Sequence, residues 1–345
     1  MAPPEKSKAT IYDVAEYAGV AISTVSRVLN NSDDVSDHTR NRVLKAIETL
    51  QFRPQRTAKA LAQKKTRLVA IAIPTFTTPF HSELLSGVRH YLRNEEIDLL
   101  LCDLGSRAPY QKLLNFLKRG TVDGLLLAGL PIDEKLEVEL KAMYAPVVLV
   151  GNRSGFFDSY YWDDISGARL AVRHLIEQGH TKIGMIRAFT ESDFQMGRVA
   201  GYREALEGAG LPFNETFVAS GTTEKHGGFS EEAGYEAMKK LLEEAPELTA
   251  VFASSDVQAF GAIKALHEAG KRIPDDLALI GYDDIKVSAF VGLSSIDQNM
   301  FSVGQDAMKR LFDRLDAETP TEDRIDALVQ PMLRVRRSTN TPLSP

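Results

Sequence analysis

From Leu68 onward the chain repeats one pattern: a short aliphatic run, a turn, then a helical stretch with one apolar face. LVAIAIP, DLLLCDL, VDGLLLAG and PVVLVGN are the first four runs, with helices predicted around 83–93, 110–118 and 135–143 between them. Runs this apolar make buried strands, and strands separated by helices lie parallel in a sheet covered on both faces. The pattern then restarts. Helices are predicted at 167–178, 198–209, 231–242 and 259–269, alternating with the strands KIGMIRA, TFVAS, AVFAS and LALIGYDD. One more helix, 301–315, and a late strand, 328–336, follow. Two such units, without obvious sequence repetition, predict two lobes. A cleft is expected at the C-terminal ends of the strands, where such folds bind ligands.

The first 65 residues have a different grammar. They carry 11 Lys/Arg against 7 Asp/Glu, whereas the rest of the chain carries 30 against 40. A basic head on an acidic body points to an anionic partner for the head alone. Thr10 is placed to cap a helix whose stripe is Val14, Ala15 and Ala18 and which Gly19 stops. A second helix spans about 22–30. A third, about 37–50, is capped by Ser36 and presents Val43, Leu44, Ile47 and Leu50 at helical spacing. Helix, tight turn, helix is the arrangement whose second helix can enter a major groove. Val25, Val28 and Leu29 would face the small core, and Ser23, Ser26, Arg27 and Asn30 would face DNA.

TIYDVAEYAGV, TVSRVLN and VSDHTRNRVLKAIETLQFRP, followed by TPFHSELLSGV, VDGLLL, HLIEQGHTKIGMI, GRVAGYREAL and LIGYDD, resemble the LacI/GalR family of transcriptional regulators over nearly the whole chain. The resemblance implies an all-α helix-turn-helix head (1–54), a hinge helix and linker (55–67), and a body (68–345). The body is expected to be α/β and two-lobed, like periplasmic binding proteins, with parallel sheets. Its N-lobe would be about 68–163 plus 299–326, and its C-lobe about 164–296 plus 327–338.

The resemblance also implies roles. Thr10, Tyr12, Thr24, Ser26, Asn30, Ser36 and Thr39 would touch phosphates or neighbouring DNA, and Ile22, Ser23 and Arg27 would read bases. Arg27 can grip a guanine through O6 and N7, a contact worth about 1–3 kcal/mol in discrimination. Arg56, Ala58 and Leu61 belong to QRTAKALA, which matches the hinge helix, and Leu61 would wedge into a central base step. One departure stands at Ala21, where the family usually has Ser or Thr; losing an N-cap hydroxyl typically costs about 1 kcal/mol. In the body, Phe80, His81, Asn152, Arg198, Phe229, Ser255, Asp256 and Asp283 would line the effector cleft. Arg198 and Asp283 would grip adjacent hydroxyls, and Phe229 would stack on an apolar face. Ser255-Asp256 stands where many sugar-responsive members have Asn-Asp, and GTTEKHGGF before Phe229 is longer than usual.

These features predict a dimeric repressor on a pseudo-palindromic operator, controlled by a small effector, a carbohydrate. Two rivals are a global regulator whose corepressor is a phosphorylated carrier protein, and a sugar-binding protein with a vestigial head. The motifs of nucleophile elbows, P-loops and zinc sites are absent from the sequence, so no enzyme, cofactor or metal is expected. Asp163 and Asp164 look like acids placed at a helix N-terminus. The opening MAPPEKSKAT has no apolar h-region, and the one cysteine, Cys102, allows no intrachain disulfide. A cytoplasmic protein without a membrane span is expected. The polar end RRSTNTPLSP carries no leucine heptad, so a dimer is expected rather than a tetramer.

Overall fold

The computed structural model describes residues 9–29, 32–52, 66–105, 107–119, 122–143, 145–317 and 323–340. The chain divides into two units, Met1–Arg67 and Leu68–Pro345.

The first unit holds α1 (Ile11–Ala18), α2 (Ile22–Leu29) and α3 (Asp37–Thr49) around a core of Val14, Ala18, Val25, Val28, Val43 and Ala46. Thr10 caps α1 in a reciprocal box with Asp13, and Gly19 ends it at φ 59°. Arg42 of α3 donates to the Ala18 carbonyl and braces the turn between the first two helices. Leu44 departs from expectation: it is 50% exposed, and Ala46 takes the buried place. Leu44 follows Val43 by one residue, or 100° of helix, which turns it out of so narrow a core.

The second unit contains two six-stranded sheets. In the N-lobe, β1 (Leu68–Ile73), β2 (Asp98–Asp103), β3 (Gly124–Ala128), β4 (Val147–Val150) and β5 (Asp158–Trp162) alternate with α4 (Pro79–Leu92), α5 (Pro109–Leu117) and α6 (Glu134–Lys141). In the C-lobe, α7 (Asp164–Glu177), β6 (Ile183–Ile186), α8 (Asp193–Gly208), β7 (Val218–Ala219), α9 (Glu231–Glu244), β8 (Ala250–Ala253), α10 (Asp256–Glu268), β9 (Ala278–Asp283), α11 (Lys286–Val291) and β10 (Ser294–Asp297) follow. The chain then returns to the N-lobe as α12 (Met300–Asp316) and β11 (Asp326–Val329), and ends in the C-lobe with β12 (Met332–Arg334). Sheet orders are β11-β5-β4-β3-β1-β2 and β12-β10-β9-β8-β6-β7, parallel throughout except for β12 against β10. Three crossovers therefore join the lobes, at 162–164, 297–300 and 330–331.

The late strand expected at 328–336 is in fact two. β11 pairs with β5 in the N-lobe sheet and β12 with β10 in the C-lobe sheet. Pro331 lies between them; it has no N–H to donate, and the ladder breaks there. Residues 327–329 accordingly belong to the N-lobe. β5 (DSYYW) and β10 (SSID) are strands without an aliphatic run, and were not predicted. β2, expected to be buried, is an edge strand with Leu100 36% and Leu101 43% exposed.

Buried ion pairing closes the N-lobe. Asp158 is 3% exposed and accepts from Arg314 Nε at 2.7 Å, Arg310 Nη2 at 3.2 Å and the Ile325 amide at 2.7 Å. Burial alone would raise its pKa; the Arg314 and Arg310 hydrogen bonds outweigh it and hold the carboxyl below the usual range. The pairing fastens α12 and the approach to β11 onto β5.

Candidate functional site

Several of the residues expected to meet DNA are exposed on the head. Tyr12 is 67% and Ile22 42% exposed, and Ser23 and Arg27 are exposed beside them. Thr24, Ser26 and Thr39 are half-buried. Thr10 and Ser36 are exposed, but each already caps a helix: Thr10 Oγ1 accepts from the Asp13 amide and Ser36 Oγ from the Thr39 amide, both at 3.4 Å. Those hydroxyls sit at helix N-termini, where an anion is favoured. At Ala21 the first turn of α2 is closed by backbone alone, Thr24 N to Ala21 O at 2.9 Å. Asn30, Arg56, Ala58 and Leu61 lie outside the described residues.

In the body, Asn152, Ser255 and Asp256 follow strands and Asp283 ends one, whereas Phe80 and His81 open α4, Arg198 lies within α8 and Phe229 follows a short turn. On the N-lobe side, Phe80 meets His81 edge-on at 5.3 Å and Trp162 at 6.3 Å. His81 Nδ1 shares a hydrogen bond of 2.6 Å with Thr78 Oγ1. Burial brings its pKa down to about 4, and His226 of the C-lobe acts in the same direction. His226 lies in the loop before Phe229. That loop is a 3-10 turn, Lys225–Gly228, with His226 at φ 51°. Asn152 follows β4; its Nδ2 is buried and has no hydrogen-bond partner among the described residues.

On the C-lobe side the floor is built on Arg198. It is 5% exposed and donates through Nε to Asp164 Oδ1 at 2.9 Å and through Nη1 to the Ser254 carbonyl at 2.5 Å. Asp283 Oδ1 lies 3.7 Å from Nη1, and the guanidinium stacks 3.8 Å from the Tyr282 ring centroid. Gly201 permits this. A Cβ there would come within 2.2 Å of the Ile165 carbonyl, so α8 lies against α7 closely enough for Arg198 to reach Asp164. Burial pushes the Asp283 carboxyl up to about 7, with Arg198 and Gln298 opposing and Asp164 adding to the rise. Burial raises Asp164 as well, against the pull of Arg198. Phe194, 43% exposed, and Phe229, half-buried, stand 5.4 Å apart and form an aromatic wall.

Two expected ligand residues are turned away from the cleft. Asp256 is fully buried, and its oxygens accept from Ser288 Oγ at 2.6 Å, Ser295 Oγ at 2.6 Å and the Ile285 amide at 2.9 Å. Burial raises its pKa well above the ordinary value, and the charge of Asp283 adds to that. Ser255 is 2% exposed and is the N-cap of α10, its Oγ accepting from the Gln258 amide at 3.3 Å. Both residues hold the floor together, and neither oxygen set is left for a ligand. Conversely, Asp163 and Asp164, expected alike as acids at a helix N-terminus, divide their work: Asp163 caps α7, with Oδ1 2.9 Å from the Ser166 amide, whereas Asp164 grips Arg198, a role not anticipated. Trp162 and Gln298 were missed as well.

Among the described residues no helix is long and apolar enough to cross a membrane.

Residues 10–55 match the family of bacterial regulatory proteins of the lacI type, and residues 172–339 match the periplasmic binding protein-like domain. The HTH-type transcriptional regulator CelR of Thermobifida fusca is 35% identical over 344 residues, spanning 96% of this chain and 99% of its own. A solved transcriptional regulator CelR–cellobiose complex aligns with a TM-score of 0.67 at 33% identity, covering 96% of this chain and 99% of that one. The lac repressor dimer bound to operator and the anti-inducer ONPF aligns with a TM-score of 0.82 at 26% identity, covering 97% and 100%. A helix-turn-helix head joined to a two-lobed receptor body defines a transcriptional regulator that binds DNA under allosteric control. The chain belongs to the lacI family of bacterial regulatory proteins.

Proposed function

We propose that this regulator is a homodimeric repressor of a pseudo-palindromic operator, and that a carbohydrate held in the cleft sets its grip on DNA. The observation that carries the carbohydrate is the floor itself. A buried arginine between two carboxylates, Asp164 and Asp283, offers donors and acceptors side by side, as vicinal hydroxyls require. Phe194 and Phe229 supply rings for the apolar face of a sugar. Arg198 is already neutralised by its carboxylates, so the floor holds little attraction for a phosphate. In the similar CelR structure the ligand is cellobiose, which makes it the first compound to try.

Ile22, Ser23 and Arg27 are the base-reading residues in this proposal, with Thr10, Tyr12, Thr24, Ser26, Asn30, Ser36 and Thr39 on the backbone. Arg56, Ala58 and Leu61 act from the hinge. Phe80, His81, Asn152, Arg198, Phe229 and Asp283 hold the sugar, and Ser255 and Asp256 support them from beneath. The second copy is supported by exposed apolar side chains: Val287 50%, Phe290 82% and Val291 43% on α11, with Leu100 and Leu101 on β2. The protein works on the cytoplasmic nucleoid and has no catalytic role.

The test is a thermal-shift panel of sugars and nucleobases, cellobiose first, with hits repeated against labelled operator selected from random DNA. A neutral sugar that stabilises the protein and changes its operator affinity is expected. A response confined to nucleobases or sugar phosphates would overturn the carbohydrate reading.

A further inference from the structure

We propose that Gln298 is the positioning residue that passes occupancy of the cleft to the crossovers that join the two lobes. This rests on the proposed effector site but names a residue that touches no ligand. Gln298 lies between β10 and α12, within the second crossover, and is 1% exposed. Its two ends bond in opposite directions. The side-chain Nε2 donates to Asp283 Oδ1 at 2.7 Å, and the backbone carbonyl accepts from Trp162 Nε1 at 2.7 Å.

Trp162 ends β5 at the first crossover, two residues before Asp164. The contacts therefore close a ring: Trp162, Gln298, Asp283, Arg198, Asp164, and back along the chain to Trp162. Two crossovers and the effector floor share that ring. The third joins it from outside, since Arg334 of β12 pairs with Asp297 at 2.8 Å and Arg336 with Asp284 at 2.5 Å. The N-lobe wall joins through Phe80, whose ring meets that of Trp162.

A ligand that engages Asp283 through Oδ1 must share that oxygen with Gln298 or displace it, and one that draws on Arg198 pulls on a guanidinium 3.7 Å from the same oxygen. Gln298 is part of the second crossover, so its displacement changes the crossover itself. Asp283 and Asn299, on either side of this contact, both hold positive φ, 110° and 54°; the first is a value that L residues rarely adopt, the second the left-handed region that asparagine tolerates. Such a spot favours two discrete arrangements over gradual bending. Coupling needs an element of that kind, biased by both sites.

Trp162 is the one tryptophan of the chain, so its emission reports this contact without a label. Wild type and Gln298→Leu are titrated with cellobiose by calorimetry, by Trp162 emission and by affinity for the labelled operator selected by the wild type. The wild type is expected to change operator affinity about 5–150-fold on adding cellobiose, with a shift in emission. Gln298→Leu is expected to bind cellobiose within about tenfold of wild type, yet to change operator affinity less than about twofold and to lose the emission shift. Retention of the full change in operator affinity would overturn the proposal. So would a loss that merely tracks weaker cellobiose binding.

If cellobiose does not bind wild type, the effector assignment fails, and a ligand-free arm decides on Gln298. Asp283→Asn and Gln298→Leu are combined, and operator affinity is measured for each single variant and the pair. Non-additive effects uphold the link, and additive effects refute it. Trp162→Phe keeps an aromatic ring but removes the Nε1 donor together with the fluorophore; should Gln298→Leu fail to fold, it replaces that variant in both arms, read by calorimetry and operator affinity alone, with the same expected result in those two readouts.

Discussion

Arg198 on α8 and Asp164 on α7 meet with Nε 2.9 Å from Oδ1, and side-chain exposures of 6% and 16% make this a sheltered pair. A partly desolvated charge pair is strongly unfavourable when one partner is removed. Replacing Arg198 by Lys keeps a charge but loses the fork that reaches Asp164, Ser254 and Asp283 at once. Arg198→Lys is expected to weaken effector binding at least tenfold by calorimetry, about 1.4 kcal/mol, while operator binding without effector persists. Undiminished effector affinity would place the sugar elsewhere.

Ala21 leaves the N-terminus of α2 without a side-chain acceptor. Ala21→Ser is expected to raise the stability of the head by about 1 kcal/mol in thermal unfolding and to tighten operator binding severalfold. A variant that gains stability without affinity would mean that the added hydroxyl faces away from phosphate.

His81 gives the body an acid-sensitive point. Its pKa is about 4 in the folded chain, against an ordinary 6.5. The unfolded chain therefore binds the proton more tightly, and stability must fall as pH drops from 6.5 towards 4. The loss is on the order of 2–3 kcal/mol across that window. His81→Gln is expected to flatten this part of the stability curve in denaturant titrations. An unchanged slope would assign the acid loss to other groups.

Asp158 carries two arginines in a buried site. Asp158→Ala is expected to cost about 3–5 kcal/mol by urea unfolding, because Arg310 and Arg314 lose their shared partner. Destabilisation below 1 kcal/mol would show that both arginines find water.

Phe290 is 82% exposed on α11 together with Val287 and Val291, 50% and 43% exposed, an apolar group of the kind that marks an interaction surface. Phe290→Asp is expected to sediment as single chains at micromolar concentration where the wild type sediments as pairs, and to lose operator affinity with it. Dimers of undiminished stability would move the subunit contact to another face.

Legibility in the sequence followed the hydrophobic effect closely. LVAIAIP, PVVLVGN and AVFAS announce themselves because both faces of those strands are buried. DSYYW and SSID do not, because their stability comes from ladder bonds and from polar contacts such as Ser295 with Asp256. The site divides the same way. Arg198 and Asp283 were visible through resemblance, whereas Asp164 and Gln298 take their roles from partners 34 and 15 residues away. Asp256 was misplaced for a related reason: three donors brought to it by the fold turn a ligand-like carboxylate into a brace.

The split of the last strand into β11 and β12 bears on how the body is made. The N-lobe core draws on Met300, Val303, Met308, Leu311 and Phe312, and each sheet waits for an edge strand from the final stretch of chain. Neither lobe can be finished before most of the other has been synthesised. A premature stop before residue 326 strips an edge from both sheets at once, so the receptor matures in a single late step rather than lobe by lobe.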